Sequence, residues 1–161
     1  MYALSVRQPW ADALVIGAKS VEIRTRRYGI RLNQVIAIHA GKQADRNAPY
    51  AVGASTDVAL RGRGLLDWYM TNTELRRGGI VGAARIVNLV AYRDAAQFRE
   101  DYRRHLNPPE WWAEGLWGYV FSEPQFFKEI IPCRGQLGFW WLERAVEGRV
   151  AQMESEIRRP E

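Results

Sequence analysis

Leu4-Ser-Val-Arg-Gln-Pro-Trp10, followed by Gly17-Ala-Lys-Ser-Val-Glu-Ile-Arg24, is the stretch on which the reading of this chain turns. Tyr2 to Arg7 alternates, with Leu4 and Val6 on one side and Ser5 and Arg7 on the other, as in a half-buried strand. Pro9 suits the first turn of a helix, where its missing N–H costs nothing. Trp10, Ala13 and Leu14 then share one helical face, and Gly17 is a natural stop. Residues 20–26 alternate again: Val21 and Ile23 point to the core, and Ser20, Glu22, Arg24 and Arg26 take the opposite face. Polar groups therefore gather at the two joins of a strand–helix–strand unit, where a rigid scaffold presents side chains to a ligand.

Charge marks the same region. The chain has 23 basic and 18 acidic residues, a net charge of +5. Residues 1–42 hold Arg7, Lys19, Arg24, Arg26, Arg27, Arg31 and Lys42 against Asp12 and Glu22, an excess equal to that of the whole chain. Beyond residue 42 the charges balance. Apart from Lys19, Lys42 and Lys128 the cations are arginines, whose planar fork suits phosphate and stacks on bases.

Composition narrows the class. A chain of 161 residues, 47% hydrophobic and 25% charged, suits one soluble domain with a real core. No apolar run nears the roughly 18 residues of a membrane span, and no basic-then-apolar leader opens the chain, so no membrane partner is expected. Cys133 stands alone, which excludes an internal disulfide and makes a cytoplasmic protein the expectation. With only His39 and His105 beside it, no zinc set, other metal site or cofactor is expected.

Outward from the opening unit, Val35 to Ala40 is a near-continuous apolar run, expected as a central strand covered on both faces. His39 reads there as a core histidine. Residues 43–79 carry five glycines and scattered apolar residues, and are expected to be an irregular excursion with one or two short helices. Ile80 to Tyr92 reads as a long strand. Asp94 and Gln97 resemble a capping box opening a helix to about Leu106, which Asn107-Pro-Pro109 stops. Trp111 and Trp112 are expected to pack a loop onto the sheet. Trp117–Ser122 and Gln125–Ile131 read as strands broken at Pro124, and Gln136–Glu143 as the last strand. Val146, Val150, Met153 and Ile157 form one stripe of a closing helix. The pattern predicts an α+β fold: a mixed, barrel-like sheet of about six strands, short helices in the connections and a C-terminal helix.

Leu4-Ser-Val-Arg-Gln-Pro-Trp-Ala11, Gly17-x-Lys19-x-x-Glu22-x-Arg24, Ile36-Ala-Ile-His-Ala40, Gly79-Ile-Val-Gly82, Trp117-Gly-Tyr119 and Ile131-Pro-Cys-Arg-Gly-Gln136 together resemble the ASCH domain, a member of the PUA-like superfamily of small β-barrels. The resemblance places the domain at 1–144, with 43–79 as an insertion and 145–161 as a helical tail. It implies a cleft beside the first helix, lined by the Gln-Pro-Trp and Gly-x-Lys-x-x-Glu-x-Arg motifs. The family is associated with RNA-related roles, and a small bacterial branch with hydrolysis of acetylated cytidine through a Lys and a Thr three positions later. Lys19 matches the Lys, but Glu22 stands at the Thr position, which removes that hydroxyl.

A nucleotide pocket needs cations, a π-face and a few directional polar groups. Arg7, Lys19, Arg24, Arg26 and Arg134 can supply the first, Trp10, Tyr28, Trp117 and Tyr119 the second, and Ser5, Gln8 and Gln136 the third, with Pro9 shaping the turn. The leading expectation is an RNA- or nucleotide-binding module whose partner is RNA, a single-stranded nucleic acid or a modified nucleoside. The alternative is a hydrolase, a ribonuclease or nucleoside amidohydrolase, with Lys19 and Glu22 catalytic. A third reading is a protein-interaction module that self-associates through the C-terminal helix.

Overall fold

The structure, a computed structural model, describes residues 1–158. Six strands form one sheet: β1 (Tyr2–Gln8), β2 (Val21–Arg24), β3 (Gln34–Ala44), β4 (Gly79–Ala91), β5 (Trp117–Pro132) and β6 (Phe139–Trp141). Their order across the sheet is β2-β5-β4-β3-β1-β6, antiparallel throughout except for the parallel pair β1–β3. The sheet curls until its two ends face each other. Tyr119 of β5 lies 5.1 Å from the Phe139 ring of β6. At the end of β2, Arg24 Nη2 donates to the Ser5 carbonyl of β1 at 2.6 Å. A side chain thus bridges the seam between β2 and β1, which no ladder of backbone bonds closes.

Each face of the sheet has its own core. Leu4, Ile36, Ile38, Ala84 and Ile86 pack with the short helix α1 (Trp10–Ile16) on one side. Ala3, Ala37, Ile80, Phe127 and Trp140 pack under the C-terminal helix α6 (Arg144–Ile157) on the other. The alternation Ala3/Leu4 and Ile36/Ala37 is the two-residue period of a strand buried on both sides. Gly82 allows α1 to approach, since a Cβ there would lie 2.6 Å from the Val15 side chain. The stripe of α6 packs on its own sheet: Val150 is fully buried, with Val146 and Met153 beside it. Much of the apolar stripe of α6 is thus packed on the sheet. Ile157 stays exposed, and positions 159–161 of the expected tail lie outside the described residues.

Four elements differ from expectation. The last strand, expected over Gln136–Glu143, is only Phe139–Trp141. Pro124 does not break β5; it sits at a bulge where Glu123 takes φ 49° and the pairing with β4 shifts register, so its missing N–H interrupts nothing. The helix after Asp94 is split at Asp101 into α4 (Ala95–Glu100) and α5 (Tyr102–His105), although Asp94 caps it as expected, accepting from the Gln97 N–H at 2.8 Å. Residues 43–79 are mainly helical, with α2 (Tyr50–Gly62) and α3 (Leu66–Asn72) followed by a 3₁₀ turn at Thr73–Leu75. Two of the glycines that suggested irregularity lie inside α2. Its buried stripe is Val52, Thr56 and Leu60, four apart, packed with α1.

The 43–79 segment is tied to the sheet by a buried charge. Arg76 is 1% exposed and stacks 4.0 Å above Phe126. Its guanidinium meets Asp12 of α1 in a two-pronged ion pair, Nη2 to Oδ1 at 2.8 Å and Nε to Oδ2 at 3.1 Å. The remaining N–H groups reach the Phe127 and Val81 carbonyls at 2.6 and 3.2 Å. Tyr69 of α3 donates to the same carboxylate at 2.9 Å. Removing one partner strands a buried charge. Arg76→Met should therefore lower unfolding stability by about 3–5 kcal/mol. Arg76→Met with Asp12→Leu should cost clearly less in urea titrations than the sum of the two single losses; a double loss equal to that sum would show that the pair is not coupled.

Candidate functional site

A cleft of about 690 Å³ opens between β1, β2 and α1. Its floor is Lys19, Glu22 and Arg24; its walls include Ser5, Trp10 and Trp111; Arg7 and Lys42 stand exposed at the rim. The turn at Gly17, in the left-handed region at φ 85°, delivers Lys19 to the floor, since its N–H folds back on the Ala13 carbonyl at 3.0 Å. The two-residue period of β2 then places Glu22 and Arg24 on the same face.

The floor is a charge sandwich. Glu22 Oε2 pairs with Lys19 Nζ at 3.0 Å and its Oε1 with Arg24 Nη2 at 3.1 Å. Lys19, 3% exposed, also donates to the His105 carbonyl at 3.2 Å and lies 4.5 Å from the Trp10 ring centre. Burial pushes the Lys19 ammonium pKa below the ordinary lysine range; Glu22 opposes this and Arg24 adds to it. Two cations flank one carboxylate, so the ionised cluster carries a net positive charge. Arg24 Nε and Asn107 Oδ1 are buried without a protein partner. Asp45 holds Trp10 in place, accepting from its indole N–H at 2.9 Å. The Trp111 ring, 38% exposed, lies 6.1 Å from the Trp10 ring at 50°.

Of the residues singled out in the sequence, Ser5, Arg7, Trp10, Lys19, Glu22 and Arg24 come together in this cleft. Gln8 does not: its amide is buried, donating to the Arg76 carbonyl at 2.8 Å and accepting from the Asp12 N–H at 3.1 Å. Pro9 follows a cis peptide just before α1 and is outside the lining. Tyr119 is a core residue whose hydroxyl donates to the Arg26 carbonyl at 3.0 Å and accepts from the Tyr28 N–H at 2.6 Å. Arg26 is exposed beyond β2, and Trp117 is half-buried beneath Arg27, 5.6 Å away. Arg134 and Gln136 line a neighbouring depression of about 680 Å³, which shares Ser5, Gly41, Lys42 and Leu137 with the cleft.

Sequence reasoning missed Asp45, Asn107 and Trp111. The Pro-Pro-x-Trp-Trp loop was the available signal. Trp112 does pack a loop, against Phe98 at 5.8 Å, but its neighbour Trp111 turns to the cleft. Ser5 has more company than the sequence indicated. Its hydroxyl accepts from the Trp140 indole at 3.0 Å and lies 3.4 Å from His39 Nδ1, while His39 Nε2 is 3.2 Å from the Cys133 carbonyl. This network joins β1, β3 and β6 to the Cys133–Gln136 loop. Among the described residues, no group of three or more His, Cys, Asp or Glu side chains is placed to hold a metal ion. No helix among them is long and apolar enough to cross a membrane.

A curled six-stranded sheet with a polar cleft beside its first helix defines an α+β module of the PUA-like class. The chain belongs to the ASCH domain family, whose profile matches residues 4–129. No curated protein matches it by sequence. Among solved structures, an ASCH protein from Zymomonas mobilis is 15% identical, with 94% of this chain and 93% of that one covered at a TM-score of 0.61. Structures of two substituted forms of that protein, one tyrosine-to-phenylalanine and one serine-to-alanine, align at the same identity and score. They cover 94% of this chain and 96% and 94% of theirs. At this identity the likeness concerns the fold.

His39 and His105 are both held below the ordinary histidine pKa, chiefly by burial. His105 also uses both ring nitrogens, Nε2 at 2.7 Å from the Phe98 carbonyl and Nδ1 accepting from the Asn107 N–H at 2.9 Å. The unfolded chain binds protons at these rings from about pH 6.5 downward, whereas the native rings resist. Stability should therefore fall as pH drops below about 6.5, until the native rings also protonate. Thermal melts between about pH 7.5 and 5 would measure this. A flatter profile in His105→Gln is expected; an unchanged slope would exclude that ring as a source.

Proposed function

We propose that the cleft binds a nucleotide unit of RNA or of another single-stranded nucleic acid. One observation carries this reading: two tryptophan rings, Trp10 and Trp111, stand side by side between a cationic floor at Lys19 and Arg24 and a cationic rim at Arg7 and Lys42. Aromatic faces accept a base by stacking, and arginine and lysine accept its phosphates. A volume of about 690 Å³ is in the range of small-ligand pockets. Membership of the ASCH family supports the same direction.

The hydrolytic alternative draws support from Lys19, whose burial lowers its pKa as a lysine base or nucleophile requires. It is weakened at Glu22, because each carboxylate oxygen already faces a cation and a general base needs one free. Binding is therefore the preferred reading. A screen of short RNAs and modified nucleosides that scores both complex formation and products separates the two. Turnover abolished by Lys19→Ala in a folded variant would establish the enzyme reading instead.

Tryptophan fluorescence gives a direct assay. RNA affinity should fall as salt rises, with a logarithmic slope of about 0.7 for each phosphate contacted on a single strand. Trp111→Ala should weaken binding by about 1–3 kcal/mol, roughly 5- to 150-fold. The absence of binding to any RNA or single-stranded DNA at low salt would overturn the proposal.

A further inference from the structure

The cleft does not end at its rim. Beyond Arg7 and Lys42 lies a second hollow of about 780 Å³, lined by Arg7, Lys42, Gln43, Ala44, Asp45, Arg46, Asn47 and Arg77. Arg7, Lys42, Gln43 and Asp45 line both spaces, so the two form one continuous groove. Its charge is one-sided. Four cations face a single carboxylate, Asp45, whose oxygens are already engaged with the Trp10 indole and, at 3.0 Å, the Asn47 N–H. Arg77 also meets Glu74 at 3.0 Å, but that glutamate is 79% exposed, so water weakens the pairing. In contrast to the cleft, the hollow offers no aromatic face. A base-sized space with stacking rings thus opens into a space that has charge without rings.

We infer that the occupant of the cleft is a strand rather than a free nucleotide, and that Arg46 and Arg77 hold the phosphates that flank the nucleotide in the cleft. This rests on the nucleotide-binding reading above. It also gives the insertion a function, because the two arginines stand at its two ends. Arg77 directly follows Arg76, whose side chain is locked inward on Asp12, and itself lines the groove. Arg46 follows Asp45, which is fixed from the opposite side through Trp10. Both cations are thus carried on backbone that neighbouring buried contacts hold still, which lowers the entropic cost of gripping a phosphate. The depression at Arg134 also adjoins the cleft, through Ser5, Gly41, Lys42 and Leu137, but among its lining residues only Arg134 and Lys42 are cationic, so the phosphate track runs mainly toward Arg46 and Arg77.

The experiment compares the four nucleoside monophosphates with the matching homotrimers and homopentamers, in the full chain and in Arg46→Ala/Arg77→Ala, by fluorescence at several salt concentrations. Arg46 is exposed and Arg77 half-buried, and an unchanged melting temperature establishes that the variant folds. In the native chain, affinity should rise at least tenfold from monomer to trimer, with a steeper salt dependence. In the double variant that rise should vanish, and the trimer's salt slope should decrease by about 1.4, as expected for two lost phosphate contacts. Monophosphate affinity should stay the same. A native chain that binds monophosphates with no gain on lengthening would overturn the groove and leave the nucleotide cleft standing. A double variant that keeps the gain would overturn the assignment to Arg46 and Arg77. Failure of every nucleotide, long or short, would remove both readings together.

Discussion

The contact between Arg76 and Asp12 holds this molecule in register. A fully buried arginine is tolerable only where its N–H groups find oxygens, and here a carboxylate and strand carbonyls supply them. The pair fixes α1 against β4 and β5. It also sets Gln8, whose amide bridges the Arg76 carbonyl and the Asp12 N–H at the turn into the helix. Trp10 and Lys19 flank that helix, so the walls and floor of the cleft inherit their positions from a charge pair on the far side of α1.

Glu22 has a comparable part within the cleft. Lys19 and Arg24 would repel one another across a floor of low dielectric, and the carboxylate between them makes the arrangement affordable. Each of its carboxylate oxygens is engaged by one of the two cations, which fixes their positions relative to each other. The Lys19 contact with the His105 carbonyl extends the same arrangement to α5 and thence to the loop that carries Asn107 and Trp111.

Much of this was legible in the sequence because its signals are local. Alternation in β1 and β2, the stop at Gly17, the cap at Asp94 and the excess of cations before residue 43 all act over a few residues, and six separated motifs gave the family. The misreadings have long-range causes. Gln8 and Tyr119 looked like ligand-facing groups, yet each satisfies buried backbone atoms from segments far away in sequence. The 43–79 segment looked irregular because its glycines hide a Val52–Thr56–Leu60 stripe that gains meaning only when α1 is placed against it. No pattern in the sequence pairs Arg76 with Asp12, 64 residues earlier. Trp111 and Trp112 are indistinguishable by composition, and only the turn between them sends one inward and the other to the cleft.

The bridge from Arg24 to the Ser5 carbonyl has a consequence for how such modules diversify. A seam zipped by backbone bonds is indifferent to side-chain identity, whereas this one is fastened by a guanidinium that also forms the floor of the cleft. The lining of the cleft and the closure of the sheet share one residue. Changes of specificity at that position are therefore constrained to side chains that can still span the gap, while the rim and the loop bearing Trp111 are free to vary. Drift in what the domain recognises should begin at the mouth of the cleft and reach its floor last.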